Sequence, residues 1–363
     1  MNLTDNFLSI VLSQTPLLDV RAPIEFQQGA FINATNIAIL NDEQRHLVGI
    51  HYKEAGNSAA VKLAEQLIQE EGQKLRIKKW QEYLQSNPNA LLYCFRGGQR
   101  SAISQAWLKE VGINITRLKG GYKAFRSYLM DESLKISANT KTLILGGRTG
   151  SGKTVLLQEI NNMIDLEAIA HHRGSSFGHF SSDQPSQINF ENNLAYKLIQ
   201  HHHANHKYLI IEHESHNIGR AFIPKPLYKN LMDGRLIILE TPLKERIEIT
   251  YHEYIEESLL KYTLHYKEDA LSKWAQDVQQ NLEKIKKRLG SEKYIIIKKI
   301  FEDAVLHHFD RDGKKLYKLF IEKLLVEYYD PMYDYQIKTT QIPIILRGDK
   351  EVILNFIYTK EDD

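Results

Sequence analysis

Two short segments of the sequence contain side chains whose types and spacing predict anion chemistry. The first reads Gly146-Gly-Arg-Thr-Gly-Ser-Gly-Lys-Thr154 and contains the pattern G-x-x-x-x-G-K-T directly after the apolar run 142–145. Glycines in such a loop let backbone N–H groups turn toward a phosphate at a helix N-terminus. These glycines are Gly147, Gly150 and Gly152. Lys153 adds a positive charge, and the Thr154 hydroxyl suits a magnesium ion. We predict a phosphate-binding P-loop over residues 147–154, because an ordinary glycine-rich turn would not need Lys-Thr at its end.

The second segment is built around the single cysteine of the chain, Cys94. Leu91-Leu-Tyr-Cys94 predicts a short buried strand, and Phe95-Arg96-Gly-Gly-Gln-Arg100-Ser101 follows it directly. Loop amides, a following helix N-terminus and two arginines, Arg96 and Arg100, would stabilise a thiolate. Such a thiolate is a nucleophile that can also carry a transferred group. An inert buried cysteine beside a turn would not explain two arginines and two glycines. We call residues 94–100 the Cys94 loop.

Polar residues downstream of the P-loop allow more than one interpretation. The strand predicted over 207–211 ends in Glu212-His-Glu214, where a carboxylate could orient magnesium or water, bind a ribose or cap the next helix. Arg246 could reach a phosphate or form a solvated ion pair on a helix. Arg173-Gly-Ser175 could bind an anion or order a loop. The histidines over 201–206 lack carboxylates or cysteines at ligand spacing, so no metal site is predicted.

Composition narrows the class of protein. The chain has 363 residues, of which 42% are hydrophobic and 25% charged, which predicts two globular domains. No apolar run approaches the roughly 20 residues that span a bilayer, no secretory signal is visible, and one cysteine fits a reducing compartment, so we expect a cytoplasmic protein without membrane contact. The net charge of +2 means that any nucleic-acid surface must be local. Residues 281–318, with eleven Lys/Arg against six Asp/Glu, are a candidate, although a solvated helix face explains them equally well.

The chain-wide pattern predicts the α/β class. Alternating strand and helix signals indicate an N-terminal α/β domain over 1–135, followed over 136–363 by a P-loop α/β domain with a parallel sheet and a helical C-terminal extension. Residues 127–141 are polar without strong periodicity and are interpreted as the connection. The alternating tail 341–358 predicts a strand. The tyrosines around Asp330-Pro331 could stack, close a pocket or pack in the core.

The first domain resembles the rhodanese family. Asp19-Val-Arg21, the segment Gly29–Ile37, the Cys94 loop and Gly120-Gly121 occur in that family's order, over about residues 5–130. Sulfurtransferase members usually place the arginine one residue closer to the cysteine than Arg100 is to Cys94. The longer loop resembles rhodanese relatives that bind phosphate-sized oxyanions, including the cell-division-cycle phosphatases.

Nearly the whole chain resembles the tRNA 2-selenouridine synthase family. The motifs that carry this resemblance are Tyr93–Ser101, Gly146–Thr154, His172–Gly178, Glu212–Ser215 and Tyr328–Tyr333. The resemblance implies action on 2-thiouridine at the wobble position in the anticodon of tRNA. A geranyl group from geranyl diphosphate is attached to the sulfur, and the geranylthio group is then replaced with selenium from selenophosphate.

The resemblance also implies roles for individual residues. The P-loop would hold the diphosphate, and Cys94 would take up selenium as a selenylated cysteine while Arg96 and Arg100 bind the donor's oxygens. Phe177, Phe180 or Phe222 could line a slot for the geranyl chain. The remaining candidates for the diphosphate site are Arg173, Ser175, Glu212, Glu214 and Arg246. No bound cofactor is expected, Mg²⁺ is a possible partner of the diphosphate, and a monomer is favoured.

Other classes of protein stay open at this point. A P-loop kinase fused to a rhodanese-like phosphatase would turn over ATP on a phosphorylated substrate. A thiosulfate sulfurtransferase would use the cysteine alone, although the longer loop disfavours it. A non-catalytic RNA-binding protein or adaptor would not need Cys94.

Overall fold

The computed structural model describes residues 2–174, 177 and 183–362, which form two compact units. The first unit comprises Met1–Ile136 and Ser186–Ala204, and the second comprises Ser137–Pro185 and Asn205–Asp363. The first unit therefore includes a helix that comes from the segment predicted as the second domain.

In the described residues, the strands form two five-stranded parallel sheets and a short hairpin. The first sheet has the order β1-β5-β4-β2-β3, the second has the order β12-β11-β6-β8-β7, and β9 pairs antiparallel with β10. The strands are β1 (Leu3–Thr4), β2 (Leu17–Asp19), β3 (Ala34–Asn36), β4 (Leu91–Tyr93), β5 (Thr116–Leu118), β6 (Thr142–Gly147), β7 (Met163–Ile164), β8 (Leu209–Glu212), β9 (Asn217–Ile218), β10 (Ala221–Phe222), β11 (Arg235–Leu239) and β12 (Ile344–Gly348).

Helices connect these strands and build the C-terminal part. They are α1 (Phe7–Leu12), α2 (Pro23–Gln28), α3 (Asp42–Ser86), α4 (Gln99–Glu110), α5 (Gly121–Asn139), α6 (Lys153–Leu157), α7 (Leu166–Ala170), α8 (Gln187–His203), α9 (Lys225–Leu231), α10 (Leu243–Tyr251), α11 (Glu257–Tyr266), α12 (Ala270–Leu289), α13 (Ser291–Leu306), α14 (Arg311–Leu324), α15 (Asp330–Thr339) and α16 (Lys350–Asp362). Two π-helical segments, His252–Glu256 and Leu325–Tyr329, and a 3₁₀ turn, Lys267–Asp269, lie between them.

The first sheet carries the Cys94 loop at the end of β4, its central strand. β4 lies between β2 and β5, and parallel strands place their carboxyl ends at one edge of the sheet. At the end of β2, the Arg21 Nε donates to the Asp19 carboxylate at 2.8 Å, and Arg21 Nη2 donates to the Gly29 carbonyl at 2.8 Å. The Arg21 guanidinium also lies 4.0 Å from the centre of the Tyr122 ring. Through these buried contacts, Arg21 connects the end of β2 to the segments that contain Gly29 and Tyr122.

The second sheet places the P-loop after its central strand, β6. All six residues of β6 are buried between the neighbouring strands β8 and β11. Leu145 is in register with Glu212, and Gly147 is in register with Leu239. The predicted acid at the end of β8 therefore lies beside the start of the P-loop, as the parallel arrangement requires.

The C-terminal extension from α10 to α15 is helical, as expected. Its core is one apolar cluster around Trp274, Phe301, Tyr317 and Phe320, to which the Tyr328 and Tyr329 side chains also belong. The adjacent Tyr335 is exposed. Among the helices that the structure describes, none is long and apolar enough to cross a membrane.

One sequence expectation about the elements was wrong, and a second was incomplete. Most of the supposed connection over 127–141 belongs to helix α5, whose inward face carries Leu129, Ser133 and Ile136. Because serine occupies buried positions there, the apolar periodicity that predicts a helix is weak. The tail contributes strand β12 as expected, but helix α16 follows it, with Ile353 and Ile357 packed against the second sheet's core.

Candidate active site

Cys94 follows β4 directly and is buried at the base of its loop. Its Sγ lies 3.2 Å from Ser101 Oγ and 3.9 Å from the Gly98 carbonyl oxygen. Ser101 Oγ in turn donates to Gly98 O at 3.1 Å and accepts from Arg117 Nη1 at 3.3 Å. Helix α4 begins at Gln99, so the sulfur lies at the start of that helix, in the position that favours negative charge.

The carbonyl oxygens of the Cys94 loop are held by neighbouring elements. The N–H groups of Tyr122 and Lys123, at the start of α5, donate to Cys94 O and Phe95 O, each at 2.9 Å. This contact requires Gly121, whose φ is 59° and where a Cβ would lie 2.2 Å from Cys94 O. Among the described residues, none accepts a hydrogen bond from the N–H groups of residues 95–101. The loop therefore presents backbone donors for an anion.

The two arginines of the loop have different surroundings. Arg100 is mostly buried and forms a two-pronged ion pair with Glu25, in which Nη2 lies 3.1 Å from Oε1 and Nη1 contacts Oε2. Burial alone would raise the pKa of Glu25, but the hydrogen bonds and charge of Arg100 outweigh it and lower that pKa. Arg96 is exposed, with its guanidinium 5.9 Å from the centre of the Phe95 ring. Arg100 is thus fixed in position, whereas Arg96 lies at the rim.

The P-loop connects β6 to the short helix α6. Lys153 Nζ donates to the Gly147 carbonyl at 3.0 Å, and the Thr241 hydroxyl donates to Ser151 O at 2.8 Å. In the described part of the chain, no protein group accepts from the N–H groups of Gly150, Gly152, Lys153 and Thr154. These four N–H groups are therefore available to a phosphate.

Arg246 holds the P-loop through its backbone. The Arg246 side chain is 2% exposed; its Nε donates to Thr149 O at 3.0 Å, and its two terminal nitrogens donate to the Asp330 carboxylate at 3.0 and 2.6 Å. Arg148, also in the loop, pairs with Asp334 at 2.6 Å. The alternative of a solvated ion pair for Arg246 is wrong, because this pair is buried. Arg246 therefore connects the P-loop backbone at Thr149 to Asp330.

Carboxylates surround Lys153 at the ends of β8 and α7. Burial, and next the charge of Glu167, raise the pKa of Glu212 well above its usual range, while Lys153 acts in the opposite direction. The same causes raise the pKa of Glu214 to about 7. Glu167 accepts a hydrogen bond from the Gly174 N–H, and Glu212 Oε1 is buried with no hydrogen-bond partner among the described residues. A cation or a proton would relieve this concentration of negative charge.

A resident metal site is not evident from the protein side chains alone. In the ranges that the structure describes, no group of three His, Cys, Asp or Glu side chains could hold a metal ion. The basic stretch 281–318 forms ion pairs both within itself and with acids of neighbouring helices. They are Lys286–Glu283, Lys293–Glu327, Lys298–Glu302, Lys314–Glu256, Lys315–Asp312 and Lys318–Glu248. Much of the local positive excess is therefore balanced by neighbouring acids.

The remaining candidate residues from the sequence lie in different parts of the second unit. Arg173 donates to the Glu253 carbonyl at 2.9 Å and to Glu257 at 3.1 Å, which attaches it to the helical extension. Phe177 packs against the apolar cluster of that extension. Phe222 lies on β10, where it stacks on His216. Ser175 and Phe180 lie outside the described residues.

Sequence reasoning missed several residues that complete these sites. Glu25, Ser101 and Arg117 belong to the Cys94 site, and Glu167 and Asp330 belong to the P-loop site. Asp330 had a signal in the unusual Asp-Pro among tyrosines, and Glu25 had one in its position at a helix start after proline. Neither pattern identifies the arginine that the acid binds.

Comparison with known proteins assigns both parts of the chain. The profile described as "tRNA 2-selenouridine synthase AAA domain" matches residues 140–363, and the "Rhodanese-like domain" profile matches residues 8–128. A protein of Sulfurovum sp. (strain NBC37-1) is 49% identical over 98% of this chain and 97% of its own length. Proteins of Hydrogenovibrio crunogenus and Alcanivorax borkumensis are 43% and 40% identical, each over 98% of this chain and at least 98% of their own lengths. All three carry the name tRNA 2-selenouridine synthase.

Asp330→Ala should destabilise the second unit, because it leaves the buried Arg246 guanidinium without its carboxylate. We expect a loss of about 3–5 kcal/mol in the free energy of unfolding, measured by chemical denaturation. Asp334→Ala is the matched control: its partner Arg148 is 44% exposed, so removal of this pair should cost at most about 1 kcal/mol. Equal losses in the two variants would contradict the role assigned to Asp330.

Glu214→Gln should remove a pH dependence of stability. The pKa of Glu214 is raised from 4.5 to about 7, so the folded chain binds this proton more tightly than the unfolded chain. Its stabilising contribution is complete below pH 4.5 and is lost as the pH rises through about 7. We expect the wild type to lose up to about 3 kcal/mol of unfolding free energy over that window through this group, and the variant to lose correspondingly less, since Glu212 and Glu167 remain. Denaturation at several pH values checks this, with the exposed Glu245→Gln as control; parallel curves for wild type and Glu214→Gln would refute it.

Proposed function

The chain belongs to the tRNA 2-selenouridine synthase family, and on this premise we propose that it replaces the sulfur of wobble 2-thiouridine in tRNA with selenium. The observation that carries the proposal is the presence of two separate anion loops in one chain. One is built around a buried cysteine and the other around Lys153, and both have backbone N–H groups without partners among the described residues. A reaction with two phosphate-bearing co-substrates, geranyl diphosphate and selenophosphate, would use both loops.

We propose that the first step is geranylation, at the P-loop. The thiocarbonyl sulfur of the base forms a bond to the allylic carbon of geranyl diphosphate, and the carbon–oxygen bond to the diphosphate breaks. Its electron pair leaves with the diphosphate, and the proton on N3 of the base is released. Lys153 and the free N–H groups of the loop would stabilise the charge that develops on the leaving group. The base needs no enzymic nucleophile for this step.

Mg²⁺ is a reasonable partner of that diphosphate. It prefers oxygen ligands and is usually held by one or two carboxylates together with substrate phosphates. The buried Glu212 Oε1, which has no partner among the described residues, and the Thr154 hydroxyl fit this donor set. When bound, the ion would neutralise part of the leaving group's charge. The positive charge of the ion would oppose the burial and the neighbouring acids that raise the pKa of Glu212.

We propose that selenium is delivered from the Cys94 loop. The oxygens of selenophosphate would bind the loop N–H groups, with Arg100 fixed by Glu25 at one side and Arg96 at the rim. Selenium then displaces the geranylthio group at C2 of the base. Two routes balance. If Cys94 takes selenium as a selenylated cysteine, the selenium–phosphorus electron pair stays with phosphorus and phosphite is released. The outer selenium then bonds to C2 as geranylthiol leaves, and a thiol reductant cleaves the sulfur–selenium bond, which frees 2-selenouridine and regenerates Cys94. If selenophosphate attacks C2 itself, later hydrolysis of the selenium–phosphorus bond by water releases phosphate.

The two loops should control different steps. Lys153→Ala should abolish geranylation and every later product, whereas Cys94→Ala should let geranylated tRNA accumulate without selenium. Mass spectrometry of the wobble nucleoside checks this, with the exposed Lys244→Ala as a control that should behave as wild type. If Cys94→Ala also abolishes geranylation, the division of labour is wrong. Phosphoryl transfer from ATP, in place of turnover of geranyl diphosphate, would favour the kinase–phosphatase alternative.

The phosphorus product distinguishes the two routes to selenium. With ³¹P NMR during turnover of selenophosphate, we expect one equivalent of phosphite for each selenouridine if a selenylated Cys94 forms. Phosphate as the sole product, with Cys94→Ser retaining part of the activity, would rule out the selenylated cysteine.

A further inference from the structure

A cavity of about 260 Å³ opens beside the P-loop, within the second unit. Most of its wall comes from the helical extension. Apolar side chains contributed by α12, α14 and the two π-helical segments line it; they are Ile255, Trp274, Val278, Phe320, Leu324 and Leu325. Two of the polar residues in the wall are already engaged, because Asp277 accepts from Tyr262 Oη and Asn281 Oδ1 accepts from Lys284 Nζ at 2.9 Å.

One side of this cavity is part of the P-loop. Thr149 belongs to both, and the neighbouring wall is formed by Thr250 and Arg173. Thr250 is 8% exposed, and its Oγ1 has no hydrogen-bond partner among the described residues. The same hydroxyl lies against Gly150, where a Cβ would be 2.3 Å from it. An unsatisfied buried hydroxyl at the junction of an anion loop and an apolar cavity is expected where a ligand completes the structure.

Both π-helical segments of the chain's described part contribute to this wall. Tyr254 and Ile255 come from His252–Glu256, and Leu325 and Tyr329 come from Leu325–Tyr329. A π-helical turn within a longer helix is rare and frequently marks a functional site. Here two of them, about 70 residues apart in the chain, meet at one cavity.

We infer that this cavity holds the isoprenoid chain of the allylic diphosphate whose phosphates bind the P-loop. The inference rests on the proposed geranylation and adds to it the site and the size of the chain. A ligand with an anionic head and an apolar tail matches an N–H-lined loop that continues into a wall of Trp, Phe, Leu, Ile and Val. The volume lies below the range of roughly 300–1,000 Å³ that is usual for small-molecule pockets, which suits a short chain.

Filling the cavity should change the choice of donor without changing the phosphate site. Val278→Phe and, from a different helix of the wall, Ser258→Phe should raise the KM for geranyl diphosphate by roughly tenfold or more, since single methylene groups in apolar pockets already discriminate by such factors. The shorter dimethylallyl diphosphate should be affected least, which shifts the preference toward it. Inhibition by inorganic pyrophosphate should stay as in the wild type, which also shows that the variants fold. Ile295→Phe, at an exposed position of α13, is the size-matched control.

The possible results separate this inference from the proposed function. If the wild type geranylates tRNA and both filled variants keep its donor preference, the cavity does not hold the chain. If the wild type transfers no geranyl group, the proposed function fails, and calorimetric binding then tests the cavity by itself. In that case the wild type should bind geranyl diphosphate more tightly than pyrophosphate, and Val278→Phe should lose the difference. Equal affinities of the wild type for the two ligands would overturn the inference.

Discussion

An anion loop can turn its N–H groups toward a ligand only while other groups hold its carbonyl oxygens. Both loops of this chain satisfy that constraint with donors from separate elements. The start of α5 holds the carbonyls of Cys94 and Phe95, and Arg246 and Thr241 hold those of Thr149 and Ser151. Because these donors are part of packed helices and strand ends, the cradles are organised by the fold itself. Preorganised donors of this kind stabilise developing charge without a cost of rearrangement during the reaction.

The helical extension also helps to hold the carbonyl oxygens of the P-loop. The Arg246 guanidinium keeps its orientation through Asp330, which begins α15, and the cavity beside the P-loop is walled by α12 and α14. The extension therefore supports the phosphate loop from behind and would also shape the substrate's apolar part. This arrangement gives a physical reason for the Asp-Pro among tyrosines, which from sequence alone could have been a stacking surface. Tyr328 and Tyr329 pack in the core, and Asp330 binds the Arg246 guanidinium.

Contiguous patterns predicted the two loops and the acid at the end of β8, because strand, loop and helix start are consecutive in the chain. The partners that complete the loops come from far away. Asp330 is 84 residues from Arg246, and Glu25 is 75 residues from Arg100, so no local pattern could pair them. The sequence pattern did not predict the full length of helix α5, because Ser133 occupies a buried position where an apolar residue would have indicated a helix. The assignment of α8 to the first unit depends on packing and has no signal in its own sequence.

The π-helical segments make the shape of the cavity depend on the helical register. A π turn contains one residue more than an α turn, so every side chain beyond it is rotated by about 100° relative to an uninterrupted α-helix. Deletion of one residue within Leu325–Tyr329 would restore α-helical register and turn Asp330 away from the direction it now has toward Arg246. The extra residue of this π turn therefore affects both the wall of the cavity and the contact between Asp330 and Arg246, which holds the P-loop. Chains of this architecture can reshape their pocket by a change of helical register as well as by substitution of side chains.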